Sequence, residues 1–323
     1  MNVFCDGKDT GDRFNYIELG NSNWINGYEN YIELFMHLKD YFDKQSLEIL
    51  NNVMQRKMLA RNTQEKKTIA KLAERKCFQE TEEKFQNVLY PIGVTYLKNN
   101  TKLDIYVYED ILIPMRIKNC YTFINKCFLD DIFKEYMLNK NGIDIGAGAG
   151  LSSIFLAKQM KKLYAIEPSI YAFDILNKSI ELNNINNVVC CNCCIGDDNI
   201  SVYISNNKNQ NNIIHKEKVN NNLIGIQQYT LENFIKDNDI ANLGFINIWT
   251  GCNELQILVK SKEIINNFRP IVQVNIERSA DLMFKVIMFC INNYKNYNFS
   301  LRKTYEQHVS NGLFLQCYPK ELC

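Results

Sequence analysis

Two hydrophobic periods divide the chain of 323 residues. From Tyr28 to about Met58, and again over residues 63–89, apolar side chains recur every three to four positions, which predicts amphipathic helices. Residues 92–118 alternate instead, in VTYL, LDIYVY and ILIPMRI, which predicts a short hairpin or meander. The pattern therefore predicts three segments: a mainly helical N-terminal extension at 1–90, a β segment at 91–126, and a main domain at 127–323.

In the main domain, short apolar runs alternate regularly with helical patterns. After a helix at CFLDDIFKEYML, strands are predicted at GIDIG, KLYAIE, NVVCCNCCI, FINIW, PIVQVNIE, FSLRKT and GLFLQCY. Helices are predicted between them, including one long helix at NELQILVKSKEIINNF. Strands separated by helices are typical of parallel sheets covered on both faces. We therefore expect an α/β, Rossmann-like, doubly wound and mostly parallel seven-stranded sheet, closed by an antiparallel strand pair.

Composition and charge limit the partners and the location that we expect for this protein. The formal net charge of +1 counts against a nucleic-acid partner, since proteins that bind nucleic acids usually carry a basic patch or domain. No apolar run reaches 18 residues, so we expect no membrane span. Twelve cysteines behind a polar N-terminus favour a cytoplasmic location.

The N-terminal helices are expected to pack on the main domain; the alternatives are a lid or an arm that forms a homodimer.

The strongest chemical signal is the turn IDIGAGAG at residues 143–150. Its glycines allow close backbone approach to a ligand, and an acid follows at the end of the next strand, Glu167, about 20 residues on. A carboxylate there can accept hydrogen bonds from both ribose hydroxyls. Leu151 breaks the dinucleotide pattern, and DxGxGxG with a later acid is typical of S-adenosylmethionine (SAM) binding. The predicted cofactor contacts here are Asp144, Gly146, Ala147, Gly148, Gly150, Glu167 and Pro168.

The third strand, NVVCCNCCIGDD, carries four cysteines within five residues. A zinc site is the obvious interpretation, but strand side chains alternate between faces and cannot all converge on one ion. Small buried thiols are the expected alternative. The loop that follows is more informative, because Asp197 or Asp198 would lie beside the adenine of a bound nucleoside.

Taken together, these motifs resemble the FkbM-type SAM-dependent methyltransferases. The resemblance covers about residues 120–320 and includes IDIGAGAGLSSIFLAK, YAIEPSIYAFDILNKSIELNN, INNVV, IGDD, YTLENFI, RPIVQVNIE and NGLFLQCYP. Gly148 stands where the family prefers Asn. The resemblance implies a Rossmann-like sheet, SAM as methyl donor, and O-methylation of sugars, glycans or other small hydroxylated metabolites.

The stretch FINIWTGCNELQIL, residues 245–258, departs from that pattern. The family has IDVEG at the end of this strand. Aligned on the glycine, Ile248 and Thr250 replace the two acids. Aligned instead on Glu254, Trp249 and Gly251 replace them. In either alignment both carboxylates are absent.

Other residues would then have to bind the acceptor and remove its proton. Asn247 is predicted to hydrogen-bond the amino acid moiety of SAM or the acceptor, and Trp249 to bind the acceptor or simply fill the core. Glu277, which matches a family glutamate, and His215, in a polar loop, are the candidate catalytic bases. The alternative for Glu277 is a structural ion pair with Arg278 or a lysine.

The sequence therefore favours a SAM-dependent O-methyltransferase that acts on a small-molecule or glycan acceptor. The missing acids motivate a different class as the alternative: a pseudoenzyme that keeps the SAM pocket and acts as a partner or scaffold. A further alternative is methylation of an RNA 2′-hydroxyl, against which the near-neutral charge counts.

Overall fold

The computed structural model describes most of the main domain and part of the chain before it. The described residues are 35–59, 90–108, 110–115, 131–205, 214–218, 223–251, 253–277, 280–303 and 312–322. The helix predicted at residues 63–89 lies outside them. The division into three segments therefore stays a prediction.

Seven strands form the main sheet. They are β4 (Asn141–Ile145), β5 (Lys162–Ile166), β6 (Val188–Cys191), β11 (Leu243–Ile248), β12 (Ile271–Asn275), β13 (Tyr297–Lys303) and β14 (Leu313–Pro319). Their order across the sheet is β13-β14-β12-β11-β4-β5-β6. The strands from β12 to β6 are parallel, and β14 is antiparallel to both of its neighbours. The predicted seven-stranded, mostly parallel sheet is confirmed.

Eight α-helices are described over their whole length. They are α1 (Lys44–Leu59), α2 (Asp131–Met137), α3 (Leu151–Ala157), α4 (Ile170–Leu182), α5 (Leu231–Asp237), α6 (Glu254–Lys260), α7 (Lys262–Phe268) and α8 (Ala280–Asn293). The single helix expected at NELQILVKSKEIINNF is in fact α6 and α7. It divides at Ser261, whose N–H is shared between the carbonyl oxygens of Ile257 and Leu258, so the turn tightens there. Among these helices, none is long and apolar enough to cross a membrane.

The main sheet is buried on both faces, as the apolar run of β11 requires. All six β11 residues are buried. Ile246 and Ile248 pack in the largest core cluster, together with side chains from α1, α6 and α8. Phe245 points to the opposite face and packs with Phe133 of α2. The alternation of strand side chains thus explains why one strand contributes to two separate cores.

Two smaller sheets flank the main one. The predicted meander is confirmed as an antiparallel sheet of β1 (Tyr90–Tyr96), β2 (Lys102–Tyr108) and β3 (Ile111–Met115). A second sheet has the order β7-β10-β8-β9 and contains β7 (Cys194–Ile195), β8 (Ser201–Ser205), β9 (Ile214–His215) and β10 (Leu223–Tyr229).

This second sheet corrects two expectations. The single strand predicted at NVVCCNCCI divides after β6, because Asn192 leaves the ladder and donates its side-chain N–H to the carbonyl oxygens of Glu167 and Pro168. His215 lies in the short strand β9 rather than in a loop, since it pairs with Tyr203 of β8.

Helix α1 packs directly on the main sheet. Leu50 and Val53 join the largest core cluster, and the Ser46 hydroxyl accepts a hydrogen bond from the Leu301 N–H of β13 at 2.8 Å. Just before the helix, Phe42 forms a parallel bridge with Phe299. This part of the N-terminal segment therefore belongs to the core of the main domain. A homodimer through the N-terminal helices stays a prediction.

Candidate functional site

The glycine turn links β4 to α3 at the carboxyl edge of the main sheet. Gly146, Gly148 and Gly150 have φ angles of 83°, 58° and 90°, in the left-handed region that favours glycine. A Cβ atom on Gly146 would collide with the carbonyl oxygen of Trp249, and one on Gly150 would meet Leu176 Cδ1 at 2.6 Å. A Cβ on Gly148 would meet no heavy atom within 4 Å. Gly148 is therefore the glycine that faces open space.

Glu167 lies at the end of β5 and is joined to this turn. One carboxylate oxygen accepts the Gly148 N–H at 2.8 Å, and the other accepts the Ser169 N–H at 2.8 Å. The side chain is only 7% exposed. The predicted acid thus lies beside the open glycine. Each oxygen of the Glu167 carboxylate has more than one lone pair, so the carboxylate can also accept hydrogen bonds from a ligand beside Gly148.

Asp144 and Asn247 lie in the interior and are hydrogen-bonded to each other. Asp144 is 0% exposed, and its Oδ2 accepts hydrogen bonds from the hydroxyls of Ser152 (2.8 Å) and Ser153 (2.7 Å). Its Oδ1 accepts the Asn247 side-chain N–H at 2.8 Å, and Asn247 is 1% exposed. Both side chains are therefore bound by other protein groups in the interior, and their predicted contact with the cofactor stays a prediction.

Ala147 and Pro168 complete the backbone around the turn. The N–H groups of Gly146 and Ala147 both donate to the carbonyl oxygen of Ile166, which ties the turn to β5. The Ala147 side chain is 3% exposed, whereas Pro168 is half-buried. The Pro168 carbonyl oxygen is held by Asn192. Ala147 therefore shapes the turn, and Pro168 lies closer to its surface.

Asp197 and His215 lie in or next to the second sheet. Asp197 follows β7 and forms an ion pair with Lys216 at 3.5 Å, and it also accepts a hydrogen bond from Gln228 at 3.4 Å. Lys216 is the neighbour of His215. The structure thus brings the chain around His215 close to the Asp197 loop, although the two were predicted for different roles.

Trp249 and Glu277 lie at the ends of adjacent strands. The β11–β12 register pairs Ile248 with Val274, so Trp249 is beside the last residue of β12. The half-buried Trp249 ring packs edge-on against Phe314, with ring centroids 5.3 Å apart. Glu277 is half-buried, and its Oε2 accepts the Gly312 N–H at 2.6 Å. Both residues therefore lie at the rim where this fold binds ligands.

The sequence reasoning used Glu254 only to align the motif, but the structure gives it a role. Glu254 is 0% exposed, and its Oε1 accepts the N–H groups of Thr250 (3.0 Å) and Gly251 (2.6 Å). Glu254 is the first residue of α6, and an acid in the first turn of a helix is the sequence signal for such contacts with nearby N–H groups. A carboxylate thus follows the turn after β11, and backbone N–H groups bind it.

The four clustered cysteines do not converge. Cys190, Cys193 and Cys194 belong to three different core clusters, and Cys191 packs with Cys193. Burial raises the pKa of the Cys190 and Cys191 thiols to about 11, and the pKa of the Cys193 and Cys194 thiols to about 12. Within the described residues, no three His, Cys, Asp or Glu side chains are placed to hold a metal. These thiols are core residues.

A cleft of about 630 Å³ opens at the opposite edge of the main sheet. It is lined mainly by asparagines and lysines near the amino ends of β4 and β5, among them Asn141, Lys161, Lys162 and Asn187. Asn187 donates to the carbonyl oxygens of Ala157 and Met160, which is a structural use. Since ligands of open α/β sheets bind at the carboxyl ends of the strands, we assign the functional site to the glycine turn.

Comparison with known proteins supports the fold. No protein-family model and no curated protein matches the chain. Among solved structures, it is similar to methyltransferase FkbM from Methylobacillus flagellatus KT, with a TM-score of 0.58 and 13% identity. That match covers 92% of this chain but 61% of the FkbM chain. The chain is also similar to an rRNA methylase from Streptococcus thermophilus, with a TM-score of 0.38 and 12% identity, over 58% of this chain and 92% of that one. The resemblance drawn from the motifs is therefore confirmed at the level of the fold, and the chain has the class I methyltransferase fold.

Proposed function

We propose that the chain is a SAM-dependent methyltransferase that transfers a methyl group to a hydroxyl of a sugar, glycan or similar small acceptor. One observation supports the binding of SAM: the Glu167 carboxylate accepts a hydrogen bond from Gly148, the glycine of the turn after β4 that faces open space. A nucleoside binds at this place when a glycine turn and an acid meet at the carboxyl edge of such a sheet.

The residues around the turn fit SAM. Gly148 leaves space that a side chain would fill, and the ribose hydroxyls would donate to the Glu167 carboxylate beside it. Pro168 and Asp197 would line the adenine side, where Lys216 and Gln228 hold the Asp197 carboxylate. SAM, when bound, supplies a methyl group on a sulfonium, so the protein contributes mainly orientation.

The acceptor would lie along Trp249 and Glu277. An aromatic ring beside a carboxylate suits a hydroxylated acceptor, since the ring packs on its apolar face and the carboxylate accepts a hydroxyl proton. Glu277 is the first candidate base, and His215 is the second, from the side of the Asp197 loop. The sugar or glycan class rests on the sequence resemblance.

The six described cysteines are free, which supports a cytoplasmic location.

A specific observation also favours the alternative, a pseudoenzyme that keeps the SAM pocket. Among the described residues from β11 to the start of α6, the one acid is Glu254, and its Oε1 accepts the backbone N–H groups of Thr250 and Gly251. The Asn247 amide is bound by Asp144 and Gln273. Such a protein would bind SAM without transferring its methyl group and would act through a partner.

One experiment separates the two functions. The full chain is incubated with methyl-labelled SAM and a panel of monosaccharides, nucleotide sugars and glycans, and transfer of label is measured. An enzyme transfers label to at least one acceptor, and Glu277→Gln lowers its kcat by about 100-fold or more if Glu277 is the base. Glu263→Gln, an exposed change on α7, is the control. Binding of SAM without transfer to any hydroxylated acceptor would support the pseudoenzyme.

A further inference from the structure

Three buried amide side chains form one hydrogen-bonded row across the main sheet. We name Asn247, Gln273 and Gln316 the amide ladder. They are cross-strand neighbours on β11, β12 and β14, and Asn247 is in turn the neighbour of Asp144 on β4. Gln316 donates to Gln273 at 3.0 Å, Gln273 donates to Asn247 at 3.1 Å, and Asn247 donates to Asp144 at 2.8 Å. None of the three amides is more than 1% exposed.

The Asp144 carboxylate fixes the direction of the whole ladder. A carboxylate can only accept, so Asn247 must present its NH₂ group to Asp144 and its oxygen to Gln273. Gln273 must then present its NH₂ group to Asn247 and its oxygen to Gln316. All three amides therefore donate toward β4, and hydrogen bonds aligned head to tail polarise one another.

The ladder ends beneath the glycine turn. Asp144 comes just before that turn, and Ser152 and Ser153, which both donate to Asp144, come just after it. The carboxylate thus joins the two ends of the segment that contains Gly148. If Asp144 turned away, both serines would lose this hydrogen bond, and the turn would lose one of the contacts that hold its two ends.

We propose that Asn247 is a positioning residue for the cofactor turn: the amide ladder holds the Asp144 carboxylate, and Asp144 holds the open glycine in its binding geometry. This inference rests on the proposed SAM site. It also gives a physical reason for one uncharged position in β11, because a carboxylate at position 247 would face the carboxylate of Asp144 in the interior.

Other titratable groups near this network are held by different partners. Glu167, after β5, accepts N–H groups of Gly148 and Ser169. Tyr106 of β2 and Cys190 of β6 belong to the core cluster beside α3 and β5. Among the described hydrogen bonds of Asn247, the one to Asp144 is the bond that involves a titratable group.

The test compares Asn247→Asp with Asn247→Leu in the full chain. Dissociation constants for SAM and S-adenosylhomocysteine are measured by calorimetry between about pH 5 and about pH 9, a range that spans a carboxyl pKa raised by a neighbouring carboxylate. Asn247→Leu removes the hydrogen bonds that Asn247 makes with Asp144 and Gln273, and it should weaken binding about tenfold or more at every pH.

Asn247→Asp should behave differently. At low pH the new carboxyl is protonated, donates to Asp144 and accepts from Gln273, so affinity stays close to that of the wild type. As pH rises through the raised pKa, two carboxylates face each other and affinity falls about tenfold or more. Asn177→Leu, an exposed change on α4, is the control. A folded Asn247→Leu that binds like the wild type, or an Asn247→Asp without this pH dependence, would overturn the inference.

A second measurement separates this inference from the proposed function. Hydrogen exchange at the Gly148 amide, without any ligand, should be faster in Asn247→Leu than in the wild type. If the wild type bound neither SAM nor S-adenosylhomocysteine, the proposed function would fail, and the exchange rates would still decide whether the ladder positions the turn. If Asn247→Leu does not fold, Gln316→Leu at the far end of the ladder replaces it, with the same direction of effect expected; unchanged exchange there would overturn the inference.

Discussion

Gly146 and Gly148 lie two residues apart and need glycine for different reasons. Gly146 packs against the backbone of Trp249, so any side chain there would force β4 and β11 apart. Gly148 faces open space, where a side chain meets no protein atom and only the strain of its φ angle of 58° remains. The first glycine therefore serves the fold, and the second serves the site.

This contrast gives a prediction at the residue scale. Gly148→Ala should lower the free energy of unfolding by about 1–2 kcal/mol, the cost of a left-handed non-glycine residue. It should nevertheless weaken SAM binding strongly, because its methyl group enters the space for the ligand. Gly146→Ala should lose more stability than Gly148→Ala, since it collides with backbone. Urea unfolding and calorimetry measure the two effects; Gly148→Ala with wild-type affinity would contradict the placement of the cofactor.

Residue type and spacing predicted the glycine turn and Glu167, because the backbone geometry of a strand–turn–helix unit determines where they lie. The depth of Asp144, Asn247 and Glu254 was not predictable in the same way. Alternation along a strand gives the face on which a side chain lies, but not whether a partner on another strand binds it there. The partners of Asp144 come from α3 and β11, which are far apart in the sequence.

Among elements, α1 shows most clearly how a local pattern acquires a tertiary role. Its three-to-four spacing predicted an amphipathic helix, and its apolar face packs on the main sheet. The sequence did not show that Ser46 would accept a hydrogen bond from Leu301, about 250 residues away. The division of the cysteine-rich strand into β6 and β7 escaped prediction for a similar reason, since it depends on the contacts of Asn192 with Glu167 and Pro168.

The Ser46 contact leads to a prediction at this scale. Ser46→Ala removes the acceptor of a buried N–H of β13 and should lower the free energy of unfolding by about 1–3 kcal/mol. Ser201→Ala, an exposed change at the start of β8, is the control. Both are measured by urea unfolding. Equal stability of the two variants would mean that α1 is not anchored to β13 through this hydrogen bond.

At the scale of the whole molecule, the position of β14 between β12 and β13 completes the sheet. The residues after β14 lie beside the end of α7, where the Arg269 guanidinium binds both carboxylate oxygens of Glu321, at 2.8 and 2.7 Å. Arg269 also donates to the carbonyl oxygens of Lys295 and Asn296. This side chain thus ties the segment after β14 to the end of α7 and to the turn before β13.

The pair gives stability a small pH dependence. The hydrogen bond from Arg269 lowers the pKa of Glu321 below its usual value. The stabilisation from this ion pair is therefore fully present above the pKa that Glu321 has in the unfolded chain. It is lost as pH falls through the lower pKa that Glu321 has in the folded chain. Because Glu321 is largely exposed, Glu321→Gln should cost less than about 1 kcal/mol at neutral pH. The difference from wild type should vanish in acid, whereas exposed Glu135→Gln should show no such change; a cost that persists in acid would contradict the ion pair.

The central claim is that SAM binds where Glu167 meets Gly148. Calorimetry of the full chain with SAM and S-adenosylhomocysteine tests it most directly, with Glu167→Gln as the variant and Glu181→Gln, exposed on α4, as the control. We predict saturable binding in the range from about 1 μM to 1 mM that is common for enzymes and their substrates. We expect it to be about tenfold or more weaker in Glu167→Gln and unchanged in Glu181→Gln. A folded wild-type chain that binds neither ligand, or a Glu167→Gln variant that binds as tightly as the wild type, would contradict the claim.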